Sequence, residues 1–317
     1  MNVAQGLLPV FFALAVGYAA GRFDIVPNRH IEALNSLVMR IALPLALFTI
    51  LAGSDRADVV AHLTVAFAVF VVMALTYAGV YVLQRRVYRL PPGASAIQAL
   101  TVGFPNTAAV GLPIAGTVLG ATGSLAVAVS LAVGSITLSP LTIGIVNRDR
   151  GADRGGAGAA AADRPSPARA FGQAVRTPVV LAPIAGLAWS VIGLPFPDLL
   201  RVTFDEIGGL TAGLALFVTG LVLPAQSLRI TGNVAVSTVI AVLVRPALAL
   251  GVVAGLRLGA PMAAEVVLLM AVPPGFFGIL LGASAHRPTP VAGPTLCYST
   301  LISAGTLPLV ILALPQL

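Results

Sequence analysis

The chain has 317 residues, of which 58% are hydrophobic and only 9% are charged, and its formal net charge is +7. A water-soluble domain carries about 25% charged residues, so this composition excludes a soluble globular protein and predicts an integral membrane protein. The 18 basic residues are all arginines that lie mostly between apolar segments, which excludes a basic nucleic-acid-binding face. A single cysteine excludes a disulfide framework and a cysteine-rich metal site.

Ten apolar segments follow one another along the chain, separated by short polar stretches. About 20 apolar residues cross a bilayer as a helix. On that criterion the predicted spans are 5–21, 31–52, 61–83, 96–119, 123–146, 177–193, 206–223, 233–256, 262–285 and 290–314. The first segment lacks the preceding basic residues of a signal peptide, so we expect it to be a retained span. The sequence therefore predicts an all-α membrane protein with ten transmembrane helices.

One connection, at 147–176, is much longer than the others. It is rich in Gly, Ala, Arg and Asp, a composition that cannot form a packed core, so we expect a surface linker. The odd-numbered connections hold 13 arginines, whereas the even-numbered ones hold 3. Because arginine accumulates in cytoplasmic loops, this asymmetry predicts a cytoplasmic linker, with both termini on the outer side of the cell membrane.

The sequence before this linker resembles the sequence after it at an offset of 169 residues. Several proline and glycine positions coincide, and the string LALF at Leu45–Phe48 recurs at Leu214–Phe217. Five spans is an odd number, so a second copy must enter the membrane from the opposite side, as in secondary transporters with inverted repeats. We therefore expect two five-helix repeats of inverted topology, at 1–146 and 177–317.

The fourth and ninth predicted spans are interrupted at matching positions. The fourth contains GFPNTAAVGLP and the ninth AVPPGFF, and Pro105 coincides with Pro274 at the 169-residue offset. Each break frees N–H groups at one half-helix end and C=O groups at the other. The N–H ends suit an anion, and Asn106 adds a side-chain amide.

Paired breaks of this kind predict a substrate site near the middle of the membrane. The alternative is that the prolines are packing kinks whose backbone groups are satisfied by neighbouring helices. The candidate substrate-binding residues in these spans are Gly103, Pro105, Asn106, Pro113, Pro273, Pro274 and Gly275.

Two arginines lie inside predicted spans, each shortly before a proline. Arg245 directly precedes Pro246, and Arg40 lies four residues before Pro44. An arginine at a helix centre costs at least about 2.5 kcal/mol, so it needs a partner or water. Both are candidates for substrate binding, because arginine pairs with carboxylates in a two-pronged geometry. The alternative is that they bind carbonyls freed by the adjacent prolines or extend to the membrane surface.

No acidic residue lies clearly at mid-membrane. Four lie near span ends, where a role at a helix start is expected: Glu32, Asp205, Glu206 and Glu265. His30, His62 and His286 all fall at loop edges, and we expect no proton-relay role for any of them. Coupling to Na⁺ or H⁺ stays open, as does uncoupled transport. No metalloprotease, nucleophile-elbow or P-loop motif is present, so we predict neither an enzyme nor a cofactor.

Four strings resemble the auxin efflux carrier family. They are NSLVMRIALPLALF in the second span, NTAAVGLPIAGTVLG in the fourth, AVPPGFF in the ninth and YSTLISAGTLPLV in the tenth. The resemblance covers essentially the whole chain and implies ten helices in two inverted repeats, with crossed fourth and ninth helices. It implies that Pro105 and Asn106 form the fourth-helix crossover and that Pro273 or Pro274 forms the ninth. Pro44 matches the second-helix proline and becomes a further candidate.

Members of this family export auxin, and bacterial relatives are linked to malonate, malate and similar carboxylates. The resemblance therefore implies a secondary or facilitated transporter of small organic anions, with elevator-like movement and a homodimeric assembly. The central linker is far shorter than the regulatory loop of many plant members, which argues against plant-type phosphorylation control. Two alternatives remain: a Na⁺-coupled symporter resembling the bile acid carrier family, and a membrane sensor or scaffold that transports nothing.

Overall fold

The computed structural model of the protein describes residues 3–154, 176–226, 228–284 and 290–314, and these residues form helices and no strands. The all-α prediction is confirmed for this part of the chain. Most of the predicted linker, at 155–175, lies outside the described residues. In chain order the helices are α1 (Val3–Arg22), α2 (Ile31–Ala52), α3 (Arg56–Arg86), α4 (Pro92–Gly103), α5 (107–119), α6 (121–154), α7 (Pro178–Ile192), α8 (Asp198–Val222), α9 (Gly232–Leu256), α10 (Ala260–Ala271), α11 (Phe277–Ser284) and α12 (Ala292–Ala313).

Within the part of the chain that the structure describes, six helical segments are long and apolar enough to cross a membrane by length and composition. They are Ile31–Ala52, Arg56–Arg86, Thr107–Asp149, Asp198–Ala225, Gly232–Leu256 and Ala292–Ala313. Three shorter apolar helices accompany them: Leu7–Arg22, Pro178–Ile192 and Ala260–Ala271. Because a bilayer needs only about 20 residues per helix, these lengths indicate a multi-pass membrane protein.

A glycine divides the longest of these segments into α5 and α6. Gly120 has φ 71° and ψ −146°. This backbone conformation lies outside the helical region, and residues other than glycine rarely adopt it. The predicted loop between the fourth and fifth spans is therefore a tight turn. Beyond it, α6 continues to Arg154, past the predicted end of the fifth span at 146.

Three helices contain a π-helical turn, and each turn ends two residues before a proline. Val38–Ala42 precedes Pro44, Thr107–Gly111 precedes Pro113, and Ile240–Val244 precedes Pro246. Proline lacks the N–H that an α-helix needs, and its ring clashes with the carbonyl four residues earlier. A wider turn before the proline moves that carbonyl aside, so all three helices continue through their prolines.

The helices pack as two groups. The first group consists of α1, α2, α7 and α8, with α1 lying along α8 and α2 along α7. The second group consists of α3 to α6 and α9 to α12, in which α3 packs against α4, α6, α9 and α10. The start of α5 lies against α8, so the break between α4 and α5 is one of the places where the second group meets the first.

Glycines allow the helices of the first group to touch backbone to backbone. A Cβ atom on Gly17 would collide with the carbonyl oxygen of Phe217, and one on Gly186 would lie 2.7 Å from the carbonyl oxygen of Phe48. Gly17 and Gly186 are 169 residues apart, and so are Phe48 and Phe217. The α1–α8 contact and the α2–α7 contact are therefore the same contact with the two halves of the chain exchanged.

Candidate functional site

Two broken segments cross each other in the second helix group. Residues 104–106 separate α4 from α5, and residues 272–276 separate α10 from α11. At the crossing, Pro105 and Pro274 form an isolated antiparallel backbone bridge. Both are fully buried, and neither has an N–H, so the hydrogen bonds of the bridge come from their neighbours.

Two hydrogen bonds hold this crossing together. The N–H of Asn106 donates to the carbonyl of Pro273 at 2.8 Å, and the N–H of Gly275 donates to the carbonyl of Phe104 at 3.2 Å. Asn106 and Gly275 are 169 residues apart, and so are Phe104 and Pro273. The second bond is therefore the first one with the two segments exchanged. The crossing is thus reciprocal, and it consists of main-chain atoms alone.

Asn106 connects this crossing to the first helix group. Its side-chain oxygen accepts a hydrogen bond from the N–H of Ala109 at 3.3 Å and so caps the start of α5. Its side-chain amide donates to Oγ1 of Thr219, on α8, over a long 3.4 Å. The side chain is only 6% exposed. Asn106 is therefore a buried amide between the two helix groups, and its weaker bond faces α8.

Thr107 adds a free hydroxyl to this region. It is the first residue of α5, its side chain is fully buried, and its Oγ1 has no hydrogen-bond partner among the described residues. The N-terminal ends of α5 and α11 directly follow the crossing and carry the partial positive charge of a helix start. The N–H groups of Thr107 and Ala109 already donate to the carbonyl of Pro105 and to Asn106, so the groups available to a carboxylate are the Asn106 amide, the unpaired Thr107 hydroxyl and the partial charge of the helix starts.

Arg245 binds the opposite ends of the same broken segments. It is completely buried, and its Nε donates to the carbonyl of Met270 at 2.8 Å. Its Nη1 donates to the carbonyl of Val102 at 2.6 Å, and its Nη2 donates to the carbonyl of Val272. The guanidinium therefore neutralises the negative C-terminal ends of α4 and α10. One alternative expected Arg245 to bind carbonyls freed by its own adjacent proline, Pro246. The carbonyls that it binds lie instead at the ends of α4 and α10.

The remaining candidates lie elsewhere. Arg40 is exposed on the π-helical turn of α2, and Pro44 is buried in the same helix. Pro113 is half-buried in α5, where its carbonyl accepts a hydrogen bond from Thr117 at 2.6 Å. Gly103 is buried at the end of α4, where an added Cβ would lie 3.2 Å from the backbone nitrogen of Tyr77. The crossing thus unites Pro105 and Asn106 of the fourth span with Pro273, Pro274 and Gly275 of the ninth, and Arg245 binds the helix ends behind it.

Sequence reasoning missed two features. Thr219 is a single hydroxyl within the apolar string LALFVTGLV, and nothing in that string indicates that it reaches Asn106. Glu265 was expected at a helix start, but α10 begins five residues earlier, and the side chain is 2% exposed. The helix-start expectation is therefore wrong for Glu265, whose carboxylate lies 3.2 Å from His62 of α3.

A family model described as "Membrane transport protein" matches residues 2–157 and 169–311, which is nearly the whole chain. The protein therefore belongs to this family of membrane transporters, the auxin efflux carrier family that its motifs resemble.

Among individual relatives, the chain is 27% identical over 310 residues to the "Uncharacterized transporter YfdV" of Escherichia coli strain K12. The match covers 96% of this chain and 95% of the relative. The protein of the same name from Shigella flexneri matches equally well. These are whole-length similarities to transporters, so the chain is a multi-pass membrane transporter.

Proposed function

We propose that this protein moves a small organic anion, a carboxylate of the auxin or malonate and malate type, across the cell membrane. The observation that carries the proposal is the reciprocal crossing at Pro105 and Pro274, which brings two helix N-termini and the Asn106 amide together. A polar centre of main-chain N–H groups inside an apolar bundle suits an anion and explains why two helices are interrupted.

We propose further that the chain consists of two inverted five-helix repeats, at 1–146 and 177–317. The exchanged hydrogen bonds at the crossing support this arrangement, and so do the exchanged Gly17–Phe217 and Gly186–Phe48 contacts. A two-fold axis between Pro105 and Pro274 would produce both sets of paired contacts. With the arginine asymmetry, both termini lie on the outer side and the linker is cytoplasmic.

Transport follows an elevator-type mechanism in this proposal. The first helix group holds its place in the membrane, because its helices are joined through backbone contacts at glycines. The second helix group carries the crossing and slides against it. The bond from Asn106 to Thr219 runs between the groups and is long at 3.4 Å, so it breaks at little cost when the second group moves.

At the site, Asn106 donates its amide to the substrate carboxylate, and the Thr107 hydroxyl and the positive N-terminal ends of α5 and α11 stabilise it further. Arg245 contributes a positive charge from behind the crossing without a direct contact, because its donors already bind three carbonyls. The prolines Pro105 and Pro274 keep the breaks open because neither can continue a helix.

The test is counterflow of labelled lactate, malonate and indole-3-acetate in proteoliposomes, with and without Na⁺. We expect carboxylate exchange without a Na⁺ requirement. Asn106→Asp keeps the side-chain oxygen that caps α5 but replaces the donor by a negative charge, so it should abolish exchange while the protein stays folded. Thr219→Val removes the hydrogen bond between Asn106 and α8. Because one hydrogen bond contributes about 1 kcal/mol, the exchange rate should change by about fivefold.

Thr76→Val is the matched control, because Thr76 is buried in α3 and bonds only within its own helix. It should exchange carboxylates like the unaltered protein. Carboxylate exchange by Asn106→Asp at the control rate would contradict the site. Exchange that requires Na⁺ would favour the bile-acid-carrier type of mechanism, and no exchange of any carboxylate would favour a sensor or scaffold.

A further inference from the structure

A buried ion pair joins α3 to α10 away from the crossing. His62 is 5% exposed and Glu265 is 2% exposed, and Nε2 of His62 lies 3.2 Å from Oε2 of Glu265. The other ring nitrogen, Nδ1, lies 2.7 Å from the backbone carbonyl of Asp58, one turn earlier in α3. The imidazole therefore has an oxygen on each side: the backbone carbonyl of Asp58 at Nδ1 and the carboxylate of Glu265 at Nε2.

This arrangement fixes the number of protons. A backbone carbonyl only accepts, so Nδ1 of His62 carries a hydrogen. Nε2 then holds a lone pair unless a second proton binds, and it faces an oxygen of Glu265. Without that proton, a lone pair and a carboxylate would face each other in a buried site. One proton on either Nε2 or Oε2 removes this repulsion across the 3.2 Å contact, so the pair is a site for one proton.

No other charge in the neighbouring helices is placed to replace that proton. Glu265 is the only charged residue of α10, and the helices α4, α7, α11 and α12 contain none in their sequences. The backbone of Thr122, at the start of α6, also lies against His62, while the charged residues of α6 are at its other end, in 148–154. On α3 itself, Arg56 and Asp58 are exposed. On α9, the only charge is Arg245, which binds carbonyls at the opposite end of α10.

The buried charges of the second helix group can then be counted. Among the described residues, Arg245 and Glu265 are the only arginine and acidic side chains that are fully buried. Arginine stays charged in proteins, so Arg245 contributes +1. The His62–Glu265 pair contributes −1 without its proton and zero with it. The group is therefore neutral when it carries neither proton nor substrate, and neutral again when it carries one proton and one monovalent anion.

We propose that His62 and Glu265 form the proton-binding site that couples anion movement to protons. This rests on the proposed function and names the coupling ion, H⁺. A group with a net buried charge is costly to move through an apolar surrounding, so the two neutral states are the ones that cross. A proton taken up on one side of the membrane accompanies the anion and leaves on the other side. The result is symport of one proton with each substrate molecule.

Glu265→Gln separates coupling from transport. The glutamine amide can donate to Nε2 of His62, as the protonated pair does, but it cannot release the proton. The variant is therefore held in the loaded form, which exchanges a bound anion but cannot return empty. We expect counterflow of lactate, a monovalent anion, within about twofold of the unaltered protein, while uphill accumulation of lactate driven by an inward proton gradient is lost. His62→Gln should lose the same accumulation, and Thr76→Val should retain it.

The outcomes distinguish the two proposals. If no carboxylate shows counterflow in the unaltered protein, the proposed function fails. If counterflow occurs but an inward proton gradient drives no accumulation in the unaltered protein, or if Glu265→Gln still accumulates substrate like the control, the coupling site is wrong.

A second measurement does not depend on transport. Because the folded pair holds one proton where the separate histidine and glutamate of the unfolded chain hold none above about pH 6.5, thermal stability without substrate should fall as the pH rises above that value. Glu265→Gln should remove this pH dependence, and Thr76→Val should keep it. Identical pH profiles for the unaltered protein and Glu265→Gln would overturn the proton site by themselves.

Discussion

Gly17 of α1 faces the carbonyl oxygen of Phe217 of α8 so closely that there is no room for a Cβ atom between the two helices. Gly17→Ala should force the helices apart and lower the free energy of unfolding by about 1–3 kcal/mol, the usual cost of overpacking. Thermal denaturation of the detergent-solubilised protein measures this loss. Gly79→Ala is the control, because an added Cβ at that helical position meets nothing within 4 Å. Equal melting temperatures for the two variants would contradict the backbone contact.

Arg245 should be the most sensitive arginine of the described chain. Arg245→Met leaves the carbonyls of Val102, Met270 and Val272 without their charged donor, and each buried unpaired acceptor costs about 1–3 kcal/mol. We expect little folded protein by size-exclusion chromatography. Arg40→Met removes an exposed arginine and should give a normal yield. A similar yield of both variants would show that Arg245 does not hold the broken helices together.

A glycine of α6 makes room for the aromatic ring beside the crossing. A Cβ on Gly134 would lie 2.6 Å from the ring of Phe104, which is stacked on Phe277 with a centroid distance of 5.4 Å. Gly134→Ala should therefore displace Phe104 and reduce both stability and carboxylate exchange.

The smaller side chain of Phe104→Leu should relieve that collision. The double variant Gly134→Ala with Phe104→Leu should then be more stable than the sum of the two single effects predicts, which a double-mutant cycle measures. Strict additivity of the two changes would mean that the ring and the glycine do not restrain each other.

A reciprocal amide pair joins α3 to α9. Gln84 donates to Asn233 at 2.7 Å and accepts from it at 2.6 Å, and both side chains are buried. Gln84→Leu should cost about 1–3 kcal/mol because it leaves a buried amide unpaired. Adding Asn233→Leu should recover most of that loss, since no unpaired amide then remains. Denaturation of the single and double variants tests this, and a double variant less stable than Gln84→Leu would contradict it.

The positions of the breaks could be predicted from the sequence because proline acts on its own helix. Pro105 and Pro274 interrupt helices for a local reason, the missing N–H, and their shared offset indicated that they belong together. Asn106, beside Pro105, could also be singled out from the sequence, because an amide side chain is unusual in an apolar run. That these two breaks cross was implied by the resemblance to the auxin efflux carrier family, whose fourth and ninth helices cross.

The partners of buried charges could not be predicted in this way. Arg40 and Arg245 have similar sequence surroundings, each inside an apolar span and shortly before a proline, yet one is exposed and the other completely buried. Likewise, nothing in the sequence connects His62 with Glu265. The burial of an arginine and the pairing of His62 with Glu265 both depend on which helices pack together. In a membrane protein apolar periodicity does not reveal this, because faces toward lipid and faces toward protein are equally apolar.

The reciprocal bonds between 104–106 and 273–275 use only peptide groups, with two prolines at their centre. Side chains around them can therefore be exchanged during evolution without dismantling the crossing. Under the proposed function, substitutions at residues such as Thr107 and Thr219 can change which carboxylate is preferred, while the peptide framework of the crossing stays constant. With such an architecture, a single substitution can change the transported substrate while the fold stays the same.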